Sequence, residues 1–254
     1  SAQRVASSLD SFTLVAIPLF ILAGGLMNTG GIAMRLIDLA KVLVGWLPGS
    51  LAQISVVANA LFGAISGSAV ASAASVGATL SPLQRQAGYN MPICAAANVA
   101  SSPCGLLIPP SGALIVYSLI SGGTPVDVLF VAGYIPGILM AGSVMVWLAI
   151  IARRGELPTD VRRYSMNEAA HIFWRALPAL AMIAIIMGGI VGGIFTATEA
   201  AGVAALYTLV LGLLYRSLTL KTLVGSVINA SVGTAVVMLM VGVSMTMSWL
   251  LAST

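Results

Sequence analysis

Long runs of apolar residues, separated by short polar segments, dominate the sequence. A helix needs about 20 apolar residues to cross about 30 Å of hydrocarbon. Runs near that length predict membrane-spanning helices at residues 12–27, 126–151, 177–195, 200–215 and 223–251. Between the second and third runs lies a polar connection, residues 153–175, which holds five arginines and the single histidine. The pattern is that of a multi-pass helical membrane protein.

Residues 32–46 show a different periodicity. Arg35, Asp38 and Lys41 recur at intervals of three on one face. The opposite face is formed by apolar side chains, namely Ile32, Leu36, Leu39 and Leu43. Such a helix is typical of an element that lies in the membrane interface, so we predict that it does not span.

Residues 51–80 are mostly small apolar and hydroxyl side chains, bounded by Pro48-Gly49 and by Pro82. A single helix of about 30 residues runs about 45 Å and overshoots the bilayer. Two halves of about 20 Å each, meeting near Gly67, fit better. We therefore predict a re-entrant hairpin whose tip is residues 63–69.

Residues 91–120 follow a predicted polar turn at residues 84–90 and are again too long for one uninterrupted span. Pro109 and Pro110 are adjacent, and together they remove two backbone donors and prevent a continuous helix. We predict a broken transmembrane helix with its interruption at residues 105–112.

The predicted fold is therefore an all-α integral membrane protein with a re-entrant helical hairpin and a broken transmembrane helix. We divide it into a spanning helix and an interfacial scaffold helix at 1–47, the re-entrant hairpin at 48–82, the broken helix at 83–121, a spanning helix at 122–152, a cytoplasmic basic loop at 153–175 and further spans at 176–254.

Composition agrees with a lipid environment. Hydrophobic residues make up 59% of the 254 residues and charged residues only 7%, with a mean hydropathy of +1.06. A soluble domain has about 25% charged residues. No basic, aromatic-studded face is present in the sequence, so a nucleic-acid partner is not expected. Cys94 and Cys104 lie in apolar sequence and are predicted to be buried thiols rather than a disulfide.

The basic residues predict the orientation. If the hairpin returns to its own side, ten of the eleven Lys and Arg residues share one side, and Arg4 lies opposite. If the hairpin is a single span, the division becomes nine to two. The basic loops are expected to be cytoplasmic.

The two helix breaks are the best candidates for a functional site. Unwound backbone at bilayer depth is tolerated only where it is buried in protein or lines a cavity. The N-termini of half-helices suit a carboxylate, whereas unwound carbonyls suit a sodium ion. Each break alone is equally well explained as a packing kink, since Gly and Pro are common in membrane helices. The pairing of Ser66-Gly67-Ser68 with Pro109-Pro110-Ser111 favours a site.

Four segments resemble one family, the large membrane subunit of the tripartite ATP-independent periplasmic (TRAP) transporters of the dicarboxylate and sialic acid type. They are residues 16–24 (AIPLFILAG), 65–71 (ISGSAVA), 108–111 (IPPS) and 194–201 (IFTATEAA). They occur in the family order over essentially the whole chain.

The resemblance implies an elevator fold of the ion-transporter superfamily, comprising the first repeat and the start of an inverted second one. The chain is thus expected to be a partial subunit. The implied function is sodium-coupled uptake of an organic carboxylate across the bacterial inner membrane. The implied partners are a small membrane subunit of the Q type and a periplasmic substrate-binding protein.

The resemblance also implies particular site residues. The sodium ligands, mostly backbone carbonyls, correspond to Ser66, Ser68, Gly105, Ile108 and Pro110. The substrate carboxylate is expected near Ser66, Gly67, Ser68 and Ser111. Family members often carry an acid where this chain has Ser72 and Gly25, which puts ion coupling at those two positions in doubt. Glu199, three residues after Thr196, is interpreted as part of a helix capping box rather than an ion ligand.

Two other functions compete with transport. An intramembrane serine hydrolase is one, because Ile65-Ser66-Gly67 resembles the serine motif of such enzymes; its serine needs a base within hydrogen-bond reach. His171, the single histidine, lies in the predicted basic loop, far from a buried tip. The other alternative is a passive channel or a structural membrane subunit.

Overall fold

The computed structural model describes residues 12–29, 31–121, 124–159 and 164–253. Within these ranges every regular element is helical, which confirms the all-α class. After a short 3₁₀ turn at Phe12–Val15, the helices are α1 Ala16–Thr29, α2 Ile32–Val44, α3 Ser50–Ser66, α4 Ala69–Gln86, α5 Met91–Ser101, α6 Cys104–Leu107, α7 Gly112–Ile120, α8 Val126–Arg153, α9 Met166–Val191, α10 Ala197–Leu214 and α11 Leu220–Ser253.

Four helices are long and apolar enough to cross a membrane, namely α8, α9, α10 and residues Leu220–Ser244 of α11. A fifth is obtained if Met91–Leu107 and Gly112–Ser118, which are bent by 49°, count as one span. These helices agree with the predicted spans and with the predicted broken helix. The helix α1 has 14 residues, fewer than the about 20 that a span requires, so the span at 12–27 stays a prediction.

The predicted loop at 153–175 is too long. Its last ten residues are helical, because α9 begins at Met166. The start is fixed by a capping box, in which the Ser165 backbone N–H donates to the Glu168 carboxylate at 3.2 Å and the Ser165 side chain accepts from the backbone at Glu168. His171 and Arg175 therefore lie on the first turns of α9 rather than in a loop.

The helices α3 and α4 form an antiparallel hairpin. Ser72 of α4 bonds to Asn59 of α3 near the tip, and Gln84 bonds to Ser55 near the base. The predicted boundary at Pro82 and the turn at residues 84–86 are wrong, because α4 continues to Gln86. The last turn of α4 is bonded to α3, because the buried Gln84 amide donates to Ser55 Oγ at 3.0 Å. With 17 and 18 residues, the two arms measure about 26 Å each, more than the predicted 20 Å.

The amphipathic helix α2 packs with most of its predicted apolar face inward. Ile32, Leu36 and Leu39 are at most 4% exposed, whereas Leu43 of the same face is 50% exposed. On the polar face, Lys41 Nζ lies 2.8 Å from the Asp38 carboxylate. The position of α2 relative to the lipid interface stays a prediction.

The helix α1 contacts the hairpin and the broken helix as well as α10 and α11. It packs against α10 and α11 on one side, and against α3 and α7 on the other. Phe20 and Met27 of α1 share a buried cluster with Phe62 of the hairpin and with residues of α9 and α10. Cys94 and Cys104 are both buried and unbridged, as predicted. This arrangement places the hairpin tip against the α1 and α11 wall.

Candidate functional site

The hairpin turns at Gly67 and Ser68. Gly67 has φ +61°, a left-handed conformation that glycine adopts without a steric penalty, and its N–H donates to Gly63 O at 2.8 Å. The Ser68 hydroxyl caps α4 by accepting from Ala71 N at 3.2 Å. Ser66 is 6% exposed, and within the described part of the chain its hydroxyl makes two long hydrogen bonds of 3.4 Å with the Ser68 backbone. The tip is narrower than the predicted 63–69, since α3 remains helical to Ser66.

The broken helix opens between Leu107 and Gly112. Ile108 ends α6 in an extended conformation, and Ser111 precedes the first turn of α7. Ser111 is fully buried, makes no capping bond, and its Oγ has no hydrogen-bond partner among the described residues. A buried hydroxyl without a partner is costly, because it has lost its hydrogen bonds to water. The break therefore presents an oxygen that lacks a partner.

The tip and the break lie against each other. A Cβ added to Gly67 would lie 3.2 Å from the backbone nitrogen of Gly112. Further down the hairpin, a Cβ added to Gly63 would lie 2.5 Å from Gly105 Cα, so α3 and α6 cross with their backbones in contact. On the opposite side, a Cβ added to Gly24 of α1 would lie 2.8 Å from Ser66 Cα. Glycines on three helices thus permit the close packing.

The helix α8 packs against the broken helix at Leu107 and Ile108. A Cβ on Gly133 would collide with the Leu107 carbonyl oxygen, and one on Gly137 would lie 2.6 Å from Ile108 Cγ1. These glycines are four residues apart and so share a face of α8. The sequence reasoning missed them, although the spacing of small residues was a usable signal.

The side-chain amides of a buried residue, Asn59, and a half-buried one, Asn98, join the hairpin to α5. Asn59 Nδ2 donates to the Asn98 side-chain oxygen at 2.9 Å and to Ser101 Oγ at 2.9 Å. Its own Oδ1 accepts from Ser72 Oγ at 2.7 Å. Asn98 Nδ2 in turn donates to Ala73 O of α4 at 2.8 Å. The network ties both hairpin arms to the first half of the broken helix, and sequence reasoning did not identify it.

Two cavities flank the tip, and Ser66, Gly67, Ile21 and Val237 line both of them. The first has a volume of about 360 Å³ and extends along the start of α7. The second, of about 420 Å³, extends along Ser68 and α4. Residues of α1 and α11 line both cavities.

The structure brings together only part of the predicted site. Ser66, Gly67 and Ser68 form the tip. Ser111 precedes Gly112, whose backbone nitrogen lies against Gly67, but Ser111 itself lines neither cavity. Gly105 instead meets α3 at Gly63, one turn before the tip. The remaining predicted ligands are a half-buried Ile108 and a buried Pro110 in the break. Convergence of all five sodium ligands therefore stays a prediction.

The oxygens available here are hydroxyls and backbone carbonyls. Such hard, uncharged ligands suit a sodium ion, whereas zinc or iron requires His, Cys or carboxylate groups. No group of three or more such metal-binding residues occurs in the described parts of the chain. The unpartnered Ser111 hydroxyl and the carbonyls of the break are compatible with sodium.

The fold and the site define an integral membrane protein with several spans in which two helix interruptions meet beside cavities. The chain belongs to the family described as the "Tripartite ATP-independent periplasmic transporter, DctM component", whose sequence profile matches residues 1–254. This confirms the resemblance based on the four segments. It is a family of transporter components and not of enzymes.

Individual relatives agree. The chain is 52% identical to the protein YgiK of Salmonella typhimurium over 98% of its length and 57% of the relative. It is 40% identical to the sialic acid TRAP transporter permease SiaT of Haemophilus influenzae, over 95% of this chain and 39% of that one. For the 2,3-diketo-L-gulonate TRAP transporter large permease YiaN of Escherichia coli the identity is 39%, over 98% and 59% respectively. The chain thus spans roughly half of these relatives' length.

Proposed function

We propose that this chain supplies one half of the substrate and sodium site of a secondary transporter that takes up an organic acid. The observation that carries the proposal is the buried, unpartnered hydroxyl of Ser111 at the start of α7, beside the hairpin tip. A ligand that accepts or donates at this oxygen removes the cost of leaving it unpaired.

The anion is assigned to the N-terminus of α7. The first N–H groups of a helix have no acceptor within the helix and carry partial positive charge. Gly112 and Ala113 expose this end of α7 to the cavity of about 360 Å³, which Ser66 and Gly67 also line. A carboxylate bound here would contact Ser66 and Gly67, which line this cavity, without an arginine or lysine. Ser68 lines the other cavity beside the tip, and Ser111 is the residue before Gly112 at the start of α7.

The sodium ion is assigned to the space between the tip and the break. Its ligands would be oxygens of Ser66, Ser68, Gly105, Ile108 and Pro110. The carbonyls at the end of α6 carry partial negative charge, which favours a cation there. Bound sodium would in turn fix the tip relative to α7 and so complete the anion site, which couples the two ligands.

Transport would follow an elevator mechanism. The hairpin and the broken helix, tied by the Asn59 and Asn98 bonds, form the moving block. The helices α1, α10 and α11 form the scaffold, and α2 braces it at the interface. In this proposal the hairpin is re-entrant and returns to the cytoplasmic side of the bacterial inner membrane, where the basic loops lie. A periplasmic binding protein delivers the substrate, and a small membrane subunit completes the transporter.

The test is uptake by the full-length protein, assembled with its small subunit and binding protein in proteoliposomes. Uptake of a radiolabelled organic acid is expected to require both external sodium and the binding protein. Equal uptake in potassium buffer would contradict coupling and favour a passive channel.

Two variants make this test specific. Ser111→Ala is expected to raise the half-saturating substrate concentration roughly tenfold, because a hydrogen bond to a charged group contributes about 1.5 kcal/mol. Ser143→Ala, on the exposed face of α8, is the matched control and should behave like the unmodified protein. A Ser111→Ala protein with unchanged uptake would contradict the assignment of the anion to α7.

A serine hydrolase is not supported by the geometry. Among the described residues, the hydrogen bonds of Ser66 Oγ are to the Ser68 backbone. His171 lies on the exposed first turns of α9 and lines neither cavity beside the tip. A nucleophilic serine needs a base within hydrogen-bond reach.

A further inference from the structure

The face of α3 that crosses the broken helix follows a spacing of four residues. Asn59, Gly63 and Gly67 lie on successive turns of this face. The two glycines lie against Gly105 of α6 and against the backbone nitrogen of Gly112 in α7, respectively. Asn59 is the polar member of the row, and its side chain reaches the end of α5. The row therefore contacts all three parts of the broken helix.

The Asn59 side chain is fully buried, and its partners fix its orientation. Its Oδ1 accepts from Ser72 Oγ at 2.7 Å, so Nδ2 points to α5. There Nδ2 donates to Asn98 Oδ1 and to Ser101 Oγ, both at 2.9 Å, and to the Asn98 backbone carbonyl at 3.0 Å. Ser72 and Ser101 are also fully buried. Because such a network is costly to leave partly unpaired, it holds α5 in one register against the hairpin.

Gly105 follows the end of α5 by only four residues, and the connection between them is bonded. The Ser102 N–H donates to Asn98 O at 3.2 Å, and the Gly105 N–H donates to Ser102 O at 3.3 Å. Asn59 also reaches Gly105 directly, because a Cβ added to Gly105 would lie 3.0 Å from the Asn59 backbone carbonyl oxygen. Both the side chain and the backbone of Asn59 therefore fix the position of Gly105.

The position of Gly105 bears on sodium because its carbonyl lacks its usual helical partner. In a continuous helix the N–H four residues later would donate to this oxygen, but Pro109 has no N–H. Carbonyls at the end of a helix carry partial negative charge, which favours a cation. The Gly105 oxygen is among the proposed sodium ligands, and a displacement of Gly105 changes its distance to the ion.

We propose that Asn59 is a positioning residue for the sodium site, which sets the place of the Gly105 carbonyl and thereby the sodium affinity. Both ends of its amide are occupied by protein partners, so it acts through Gly105 rather than as a ligand itself. This inference rests on the proposed function, because it assumes that Gly105 binds sodium. Removing a residue that orients a metal ligand typically lowers metal affinity about 10- to 100-fold.

The test compares Asn59→Ala with Gln84→Ala in the full-length permease, assembled with its small subunit and binding protein in proteoliposomes. Gln84 is the matched control, because it is also buried and its amide donates to Leu51 O and Ser55 Oγ at the base of the hairpin. Both variants lose buried amide bonds and should melt at a lower temperature. Asn59→Ala alone is expected to raise the half-saturating sodium concentration roughly tenfold or more, with a far smaller effect on the maximal rate at saturating sodium.

A second variant and a second readout keep the test decisive if Asn59→Ala does not fold or does not transport. Asn98→Ala removes one acceptor of the Asn59 amide at a half-buried position, and it is expected to raise the half-saturating sodium concentration several-fold. If both residues act through this contact, their effects on sodium affinity are not additive in the double variant. Sodium-dependent hydrogen–deuterium exchange of the peptide covering residues 105–113 gives the same midpoint without requiring uptake.

The outcomes separate this inference from the proposed function. Uptake and exchange that do not depend on sodium in the unmodified protein would overturn both. A sodium-dependent unmodified protein whose midpoint is unchanged in whichever of Asn59→Ala and Asn98→Ala is folded would overturn the inference and leave the transport proposal standing. An equal shift of the midpoint in Asn59→Ala and Gln84→Ala would attribute the effect to lost stability, and would also overturn the inference.

Discussion

Replacing Gly67 by alanine isolates the contact between the hairpin tip and the break. Gly67 has φ +61°, and an alanine in the left-handed region costs about 1–2 kcal/mol. The added methyl carbon would also lie 3.2 Å from Gly112 N and 3.9 Å from Gly112 Cα. Since the first distance is shorter than ordinary van der Waals contact, the tip and α7 must separate by a few tenths of an ångström.

The chain offers a matched control for the backbone cost. Gly88 has φ +72°, lies in the exposed turn after α4, and a Cβ added there would meet no atom within 4 Å. Gly88→Ala therefore carries the same conformational cost without the contact. Both variants are expected to lose about 1–2 kcal/mol of stability from the backbone conformation, and Gly67→Ala should lose more because of its contact with Gly112; the two melting temperatures measure this.

The two variants should differ in transport. Gly67→Ala is expected to raise the sodium concentration for half-maximal uptake roughly tenfold or more, because small misplacements of binding groups have large effects on rate and affinity. Gly88→Ala should keep the unmodified sodium dependence, and Gly67→Val should abolish uptake. The assay is sodium-dependent uptake in proteoliposomes with the full-length protein. Equal sodium dependence in Gly67→Ala and Gly88→Ala would refute the reasoning.

Three further substitutions test the surroundings of the site. Gly63→Ala should lower stability by about 1–3 kcal/mol through overpacking at the helix crossing, whereas Gly142→Ala, with no atom within 4 Å of the added carbon, should not; melting curves compare them. Ser72→Ala leaves the Asn59 side-chain oxygen without its 2.7 Å bond and is expected to cost about 1–3 kcal/mol in denaturant unfolding. Glu199→Gln should keep normal sodium-dependent uptake, since Glu199 caps α10; loss of sodium dependence would instead make it an ion ligand.

The helix interruptions were predictable because glycine and proline act locally. Adjacent prolines at 109 and 110 cannot continue a helix, and the structure breaks there. The capping role of Glu199 followed from its spacing to Thr196, and the structure confirms it with a bond of 2.8 Å to the Thr196 N–H. Whether the hairpin is re-entrant depends on the bilayer and stays a prediction.

Other elements depend on tertiary contacts that a pattern of residue types does not display. Gln84 resembled part of a polar turn, yet its amide is buried and bonded across the hairpin to Leu51 O at 3.1 Å. The pairing of Asn59 with Asn98 joins residues 39 positions apart, so no local signal marks it. The start of α9 was missed for a different reason. The capping box of Ser165 and Glu168 was visible, but the apolar run begins only several residues later.

The central claim is that the tip and the break close on the same ligands. Hydrogen–deuterium exchange of the purified full-length protein during a sodium titration tests it most directly. Peptides covering residues 63–72 and 105–113 are expected to gain protection together, at one sodium midpoint that falls when a bound organic acid is present. Potassium should have no effect. Protection of only one of the two segments, or the same protection in potassium, would contradict the account.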